Sequence, residues 1–185
     1  MRKLNIEQLQ RLSIDEYKQI EKIPLIVVLD DVRSMYNVGS IFRTSDAYKV
    51  ECIYLCGITG CPPHSEIHKT ALGAEESVDW IKFDDIHTAV QDLKNRGYKV
   101  FAVEQAEGSI SFPLPQDVLD IDDKGYAIVL GNEVKGVKQS VVDMCDACIE
   151  IPQYGTKHSM NVSVTAGIVM YRISEALRAV KELKS

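Results

Sequence analysis

The sequence predicts an α/β protein with a mostly parallel sheet and helices on both faces. Short apolar runs typical of buried strands alternate along the chain with segments typical of helices. Such alternation is characteristic of parallel sheets, whose strands are joined by helices and are buried on both faces. Three polar motifs also follow predicted strands, and parallel sheets bind ligands beyond the carboxyl ends of their strands. The sequence therefore predicts both a fold class and the edge of the sheet that carries the functional site.

The individual elements follow from the apolar runs and from the residues that interrupt them. The first strand of the sheet is the run PLIVVLDDV, which starts at Pro24. Gly97 is expected to end an amphipathic helix, and the strand over 78–83 is expected at an edge of the sheet. A long loop is predicted over 104–118. The predicted strands cover 25–30, 52–56, 78–83, 98–103, 126–130 and 147–151, and the predicted helices cover 38–48, 65–72, 85–96, 137–144 and 161–183.

The first 23 residues are predicted to form a helical extension. Two sequences there match the capping box, Asn5 with Gln8 and Ser13 with Glu16. They predict one or two short helices that end at Pro24. Residues 24–185 are expected to form one domain, because about two dozen preceding residues are too few for a domain of their own.

Composition and charge limit the class of protein. Apolar residues make up 45% of the 185 positions and charged residues 26%, as in ordinary globular proteins. No apolar run reaches the roughly 18 residues needed to span a bilayer, and the N-terminus lacks the apolar centre of a signal peptide. We therefore expect a cytoplasmic protein without a membrane partner. The net charge of −6 argues against a generic nucleic-acid coat protein, but an RNA enzyme with a local basic patch remains compatible with it.

The five cysteines favour free thiols over a disulfide framework, because their number is odd. A zinc site is the alternative, with Cys145 and Cys148 paired with Cys56 and Cys61. Only the first of these pairs has the spacing of a zinc finger, and Cys56 lies in an apolar strand together with Cys52. We therefore expect no metal site.

The segment NVGSIFRTSDAY, which begins at Asn37, suggests a site that handles phosphate. Asn37 is a good helix N-cap, and Gly39 and Ser40 are small enough to allow close approach to the first helical turn. Arg43 adds a fixed positive charge. The preceding turn has no Gly-x-Gly, which argues against a dinucleotide fold. A P-loop is also disfavoured, because GNEVKGVK has Val137 at the position of the P-loop lysine.

Each polar residue of the three motifs has a simple structural explanation when it is taken singly. Asn37 and Asn161 could be helix caps, and Arg43 could pair with Asp46. Glu133 could favour the N-terminus of the next helix. Their joint occurrence after three strands favours one shared site.

The three motifs resemble those of the SpoU (TrmH) branch of the SPOUT methyltransferases. The matching segments are NVGSIFRTSDA, IVLGNEVKGV and IPQYGTKHSMNVSVTAGIVMY, and their order and approximate spacing match as well. The resemblance implies transfer of a methyl group from S-adenosylmethionine to a ribose 2′-hydroxyl of tRNA or rRNA. It also implies a C-terminal deep trefoil knot and a homodimer with the active site near the interface. An RNA-binding module of the same fold that has lost catalysis is the alternative.

The resemblance assigns roles to particular residues. The resemblance implies Arg43 as the base, but on physical grounds we expect Arg43 to clamp a phosphate instead, because a guanidinium stays protonated. Glu133, a water bound to Ser159 or bulk solvent is then left to take the proton. No metal is required for the reaction. The expected RNA contacts on the segment between the first two motifs are His68, Lys69 and Thr70. The expected catalytic residues are Asn37, Arg43, Glu133, Ser159 and Asn161, and the expected cofactor-binding residues are Gly131, Ile151, Ser159 and Met160.

Overall fold

The computed structural model describes residues 1–5, 7–115, 118–119 and 124–183. Within these residues the strands form one sheet in the order β3-β2-β1-β6-β4-β7-β5, and every pairing is parallel. The predicted fold class is confirmed, and β3 lies at an edge as expected. The strands are β1 (Ile23–Asp30), β2 (Val50–Cys56), β3 (Trp80–Phe83), β4 (Lys99–Val103), β5 (Ile110–Ser111), β6 (Tyr126–Leu130) and β7 (Ala147–Glu150).

Two short elements were not predicted, and one predicted helix is much shorter. β5 lies within the segment predicted as a loop, of which residues 116–117 are outside the described residues. The four-residue helix α4 is also new. The helix predicted over 137–144 is reduced to α6, because Lys138 has an extended backbone and the helix begins only after it. The helices are α1 (Ile14–Gln19), α2 (Met35–Tyr48), α3 (Ser65–Ala71), α4 (Ala74–Ser77), α5 (Ile86–Asn95), α6 (Gln139–Val142) and α7 (Val162–Leu183), after a 3-10 turn at Glu7–Leu9.

Both faces of the sheet are covered, as predicted. Leu25, Val27 and Leu29 of β1 face a core that also contains side chains of α2, α3 and α7. Ile26 and Val28 face the opposite core, which α5 and α6 complete. All five of these side chains are fully buried, and burying one such side chain contributes about 1.5–3 kcal/mol. This alternation fixes the strand between two helical layers.

The N-terminal segment contains both predicted capping boxes. Asn5 and Gln8 bond each other's backbone amides through their side chains at 2.9 and 3.1 Å. Ser13 and Glu16 do the same at 3.3 and 2.7 Å, and α1 follows Ser13. The helices were expected to end at Pro24, but α1 ends at Gln19 and Pro24 lies in β1, which begins at Ile23 with its amide donating to the Lys49 carbonyl at 2.9 Å.

The cysteines near the sheet are free thiols. Cys52 and Cys56 are buried in β2, and burial raises the pKa of each thiol to about 12. Among the described residues, no group of three or more metal-binding side chains lies close enough to hold an ion. None of the described helices is both long and apolar enough to cross a membrane.

Candidate active site

The three motifs meet at the carboxyl edge of the sheet. β1 and β6 pair directly, so that the segments after Asp30 and Leu130 leave the sheet side by side. β4 pairs with both β6 and β7, which brings the segment after Glu150 to the same edge. The predicted location of the site at this edge therefore follows from strand order.

Three of the five predicted catalytic residues form a continuous hydrogen-bonded chain. The Asn37 side-chain amide donates to Glu133 Oε1 at 3.1 Å. The Asn161 amide donates to Asn37 Oδ1, also at 3.1 Å. Asn37 therefore uses both ends of its amide to join the second and third motifs, which lie about a hundred or more positions away in sequence.

Asn37 is not the N-cap of its helix, so this prediction was wrong. α2 begins at Met35, three residues before the predicted start, and Ser34 Oγ accepts the Asn37 backbone N–H at 3.3 Å. Because Ser34 caps the helix, the Asn37 side chain is free to bond Glu133. Asn161 does cap its helix, since its Oδ1 accepts the Ser163 amide at 2.9 Å.

Gly39 of the first motif allows close approach of another helix, whereas the sequence suggested close approach of a ligand. A Cβ added at Gly39 would lie 2.3 Å from the Ile67 carbonyl oxygen and 2.2 Å from Thr70 Oγ1. Helix α3 therefore makes the close approach to α2, and no ligand is required to explain the glycine. Ser40 donates its hydroxyl to the Tyr36 carbonyl at 2.8 Å.

Glu133 lies at the N-terminus of α2. The simple structural explanation placed it instead at the N-terminus of the next helix in the chain, α6. Its two carboxylate oxygens accept the backbone N–H groups of Arg33 and Ser34, both at 3.1 Å. Burial acts to raise the pKa of Glu133, but these amides and the Asn37 side chain outweigh burial. The net effect is a pKa below the ordinary value. Glu133 is therefore an ionised anchor that ties the second motif to the first.

A cavity of about 440 Å³ lies beside this chain of hydrogen bonds. All four residues predicted to bind the cofactor line it, and Glu133 lines it too. Gly131 is required by its surroundings, because an added Cβ would lie 2.1 Å from the Gly136 carbonyl carbon. The four residues are Gly131, Ile151, Ser159 and Met160.

Sequence reasoning missed the contribution of β4 to this cavity. Glu104 and Gln105 follow β4 and line the cavity. Glu104 Oε2 accepts the Val137 amide at 3.0 Å, and Gln105 donates to the His158 carbonyl at 2.7 Å. The two side chains thus bind the backbone of the second and third motifs at the cavity. The signal was present, because both residues follow a predicted strand, but they lay in a segment treated as a plain loop.

Arg43 stands apart from the other predicted catalytic residues in the protomer. It lies six residues beyond Asn37 on α2, about 9 Å further along the helix axis and about 120° around it. Its side chain is exposed and is not among the residues that line the cavity. The simple pairing with Asp46 is not observed in the described part of the chain, where the Asp46 carboxylate accepts the Ser77 hydroxyl at 2.6 Å.

Lys138 has a structural role that argues further against a P-loop. Its Nζ lies 2.9 Å from Asp31 Oδ2 and 3.7 Å from Asp30 Oδ2. Two carboxylates at the end of β1 therefore neutralise the lysine. The Asn132 side chain also donates to the Asp31 carbonyl at 2.8 Å. These contacts fasten the second motif to the first strand.

The expected RNA contacts on α3 differ in accessibility. His68 and Lys69 are exposed, whereas the Thr70 hydroxyl donates to the Tyr36 carbonyl at 3.0 Å. Thr70, which is half-buried, therefore joins α3 to the residue before the first motif. His68 Nδ1 lies 2.5 Å from Glu75 Oε1.

Comparison with known proteins identifies the class to which this fold and site belong. Residues 24–171 match the model of the SpoU rRNA Methylase family. The match covers most of the chain, and the chain belongs to that family.

Curated proteins with similar sequences are methyltransferases of tRNA or rRNA. Staphylococcus aureus proteins assigned to the TrmH family of tRNA/rRNA methyltransferases are 29% identical over 92% of this chain. The 23S rRNA (guanosine-2′-O-)-methyltransferase RlmB of Neisseria meningitidis is 29% identical over 84% of it. The chain spans 66% and 60% of the lengths of these relatives, respectively.

Solved structures agree with the fold. A TrmH/SpoU tRNA modifying enzyme of A. aeolicus superposes with a TM-score of 0.77 at 29% identity, over 95% of this chain and 85% of that one. An AdoMet-bound rRNA methyltransferase of Sinorhizobium meliloti superposes with a TM-score of 0.73 at 26% identity, over 92% and 62%.

Proposed function

We propose that this protein transfers the methyl group of S-adenosylmethionine to a ribose 2′-hydroxyl of tRNA or rRNA. The observation that carries the proposal is the chain from Asn161 through Asn37 to Glu133 beside a cavity lined by the second and third motifs. The Neisseria relative supports the 2′-hydroxyl as target, and the AdoMet-bound Sinorhizobium structure supports the cofactor. A tRNA or rRNA substrate agrees with the expected cytoplasmic location.

The cavity suits S-adenosylmethionine in size and lining. Its volume falls within the roughly 300–1,000 Å³ of small-molecule pockets. Apolar side chains at Leu130, Ile151 and Met160 can cover an adenine ring, and the backbone at Gly131 is bare enough for close approach. When bound, the cofactor supplies a methyl group on a positively charged sulfur.

The protein's own groups then align the ribose and stabilise charge. Asn37 and Asn161 hold the first and third motifs at a fixed separation, which favours in-line geometry. Ser159 lines the cavity and is exposed, so its hydroxyl is available to the incoming sugar or to a water that takes the proton. Arg43 is proposed to hold the neighbouring phosphate and to bring positive charge to the developing alkoxide.

A homodimer would bring Arg43 to the site of a second subunit. Arg43 lies on an exposed stripe of α2 with Tyr36 and Ala47. Helix α7 packs beside α2, with the rings of Tyr48 and Tyr171 6.1 Å apart. Tyr36, Tyr171 and Val164 on this surface are 45, 42 and 52% exposed. Large exposed apolar side chains on adjacent helices are typical of a protein interface. A monomeric mass at working concentration would contradict the dimer.

We also propose, from the resemblance, a deep trefoil knot in the C-terminal segment and a boundary at residue 24 between the N-terminal extension and the methyltransferase domain. The insertion of β7 between β4 and β5, followed by the return of α7 to α2, is compatible with a knotted C-terminal segment. Residues 184–185 of the proposed domain lie outside the described residues.

The decisive experiment compares 2′-O-methyl sites in total RNA from cells with and without the protein. We expect one or more ribose marks to disappear, and purified protein with S-adenosylmethionine to restore them. Loss of a mark on a base atom would refute the assignment. The alternative, an RNA-binding module without catalysis, predicts no heat on titration with S-adenosylmethionine, whereas the proposed enzyme predicts saturable binding.

A further inference from the structure

A second cavity lies against the edge of the sheet, away from the cofactor cavity. We name it the Trp80 cavity; its volume is about 520 Å³. Trp80 begins the edge strand β3, packs in part against the hydrophobic core and also lines the cavity. Its indole is therefore held in place while part of it faces the opening. The other lining residues are Pro62, Pro63, His64, Ser65, His68, Glu75 and Glu76.

Glu75 supplies an acceptor that the protein itself leaves unused. Its side chain is only 9% exposed and lines the Trp80 cavity. Oε1 accepts from His68 Nδ1 at 2.5 Å. Oε2 is buried and has no hydrogen-bond partner among the described residues. A buried carboxylate oxygen without a partner is costly, and a donor group on a ligand would remove that penalty.

The residues that line the Trp80 cavity indicate which kind of ligand could donate to Glu75. Among the described residues that line it, the Trp80 cavity has two carboxylates and neither lysine nor arginine, so it does not suit a phosphate. A flat indole and two proline rings suit the face of a planar heterocycle. Protein recognition of single-stranded RNA combines such stacking with hydrogen bonds to base edges, and a carboxylate typically accepts from an exocyclic amino group.

The cavity is also joined to the first motif of the active site. α3, which supplies Ser65 and His68 to the lining, packs directly on α2 at Gly39. Thr70 of the same helix donates to the Tyr36 carbonyl, one residue before Asn37. A group bound in the Trp80 cavity is thus fixed relative to the catalytic end of α2.

We propose that the Trp80 cavity is a nucleobase subsite, in which an unstacked base carrying an amino group lies on Trp80 and donates to the carboxylate of Glu75, whose buried Oε2 turns toward the cavity to accept. The inference rests on the proposed function for the identity of the polymer, since the substrate is taken to be RNA. It assigns Glu75 and Trp80 to the choice of nucleotide, distinct from the residues that handle ribose and cofactor. Uracil lacks an exocyclic amino group, and its ring N3–H lies between two carbonyl oxygens that a carboxylate repels, so it is disfavoured.

Trp80 is the single tryptophan of the chain, so its fluorescence reports on this cavity alone. We expect cytidine or adenosine to quench it saturably, with affinity on the order of ten-fold or more above that of uridine, as one carboxylate–amino contact provides. Nucleosides are used because they carry no phosphate. The measurement needs neither cofactor nor methyl transfer, so its failure is separable from failure of the proposed function.

Two variants complete the test. Glu75→Gln is expected to bring the affinities for cytidine and uridine within about two-fold of each other, because a carboxylate–amino contact supplies the discrimination. Glu66→Gln is the control: it removes the same charge, but Glu66 lies on α3 and does not line the Trp80 cavity. The preference for cytidine over uridine should persist in this variant. Circular dichroism and thermal unfolding establish that both variants are folded. Absence of saturable quenching, equal affinity for uridine, or quenching only by an organic cation such as spermidine would each overturn the proposal.

Discussion

Asn161 donates a hydrogen bond to Asn37 Oδ1 at 3.1 Å, joining the start of α7 to the first turns of α2 across 124 positions of sequence. The side-chain amide of Asn37 in turn donates a hydrogen bond to Glu133. Each of the three residues lies on a different motif, so that displacing one motif disturbs the other two. The site therefore depends on a shared network as well as on the individual side chains.

Asn37→Ala should reduce methyl transfer while leaving the cofactor bound. The substitution removes two side-chain hydrogen bonds, each contributing about 0.5–1.5 kcal/mol, and leaves the cavity lining intact. We expect turnover to fall on the order of ten-fold or more and the free energy of unfolding to fall by about 1–2 kcal/mol. Tritium transfer to RNA and calorimetry with S-adenosylhomocysteine are the measurements. Ser40→Ala on the same helix is the control, and an equal loss in that variant would contradict a specific role for the network.

Gly131→Ala should weaken cofactor binding. An added Cβ would overlap the backbone of Gly136 and Val137 at 2.1–2.4 Å, and the loop that lines the cavity has to move. We expect affinity for S-adenosylhomocysteine to fall at least about ten-fold. Gly155→Ala is the matched control, because nothing lies within 4 Å of a Cβ at that position. Unchanged affinity in Gly131→Ala would show that this loop does not contact the cofactor.

Glu133 predicts a pH dependence of stability. Its pKa in the folded protein lies below the ordinary 4.5, because burial, which raises it, is outweighed by the hydrogen bonds that the carboxylate accepts. The stabilisation is fully present above about pH 4.5 and is lost as the pH falls through the lower, folded-state value. Chemical denaturation of wild type and Glu133→Gln should therefore show a difference in the free energy of unfolding at neutral pH that shrinks below pH 4.5. A constant difference across this range would refute the assigned ionisation.

Arg43 predicts complementation between inactive subunits. Arg43→Ala and Ser159→Ala are each expected to abolish methyl transfer, with cofactor binding retained in Arg43→Ala. If Arg43 serves the partner's site, a mixed dimer of the two variants contains one site with both wild-type residues. Mixing after reversible dissociation should then restore a measurable part of wild-type activity, and Arg43→Ala alone treated in the same way should not recover. An active Arg43→Lys variant would contradict the proposed bidentate clamp.

The central strands were the most predictable part of the fold, because β1, β2, β4 and β6 are apolar runs that are largely buried on both faces, whereas the short edge strand β5 was missed. β6 was predicted with the observed bounds, Tyr126–Leu130. Two helix starts were placed wrongly. Lys138 is extended and delays α6 to Gln139, and Ser34 begins α2 earlier than the Asn37 pattern suggested. Ser34 and Asn37 are both good capping residues only three positions apart, and only the folded chain decides which of them caps the helix.

Within the site, residues that belong to a motif could be predicted from the sequence, and residues outside the motifs could not. Motif residues Gly131, Ile151, Ser159 and Met160 were expected around one cavity, and they line it. Glu104 and Gln105 belong to no recognised motif, and only the neighbouring positions of β4, β6 and β7 reveal that they hold the opening.

The sequence by itself determined the α/β class and the three motifs, because apolar runs and turn residues act over a few positions of chain. Only the tertiary structure decided which groups Asn37 and Glu133 bond, that Lys138 pairs with Asp30 and Asp31, and that Glu75 keeps a buried oxygen with no partner in the described part of the chain. These outcomes depend on strand order and helix packing, which bring together residues far apart in the chain and set the hydrogen bonds available to each.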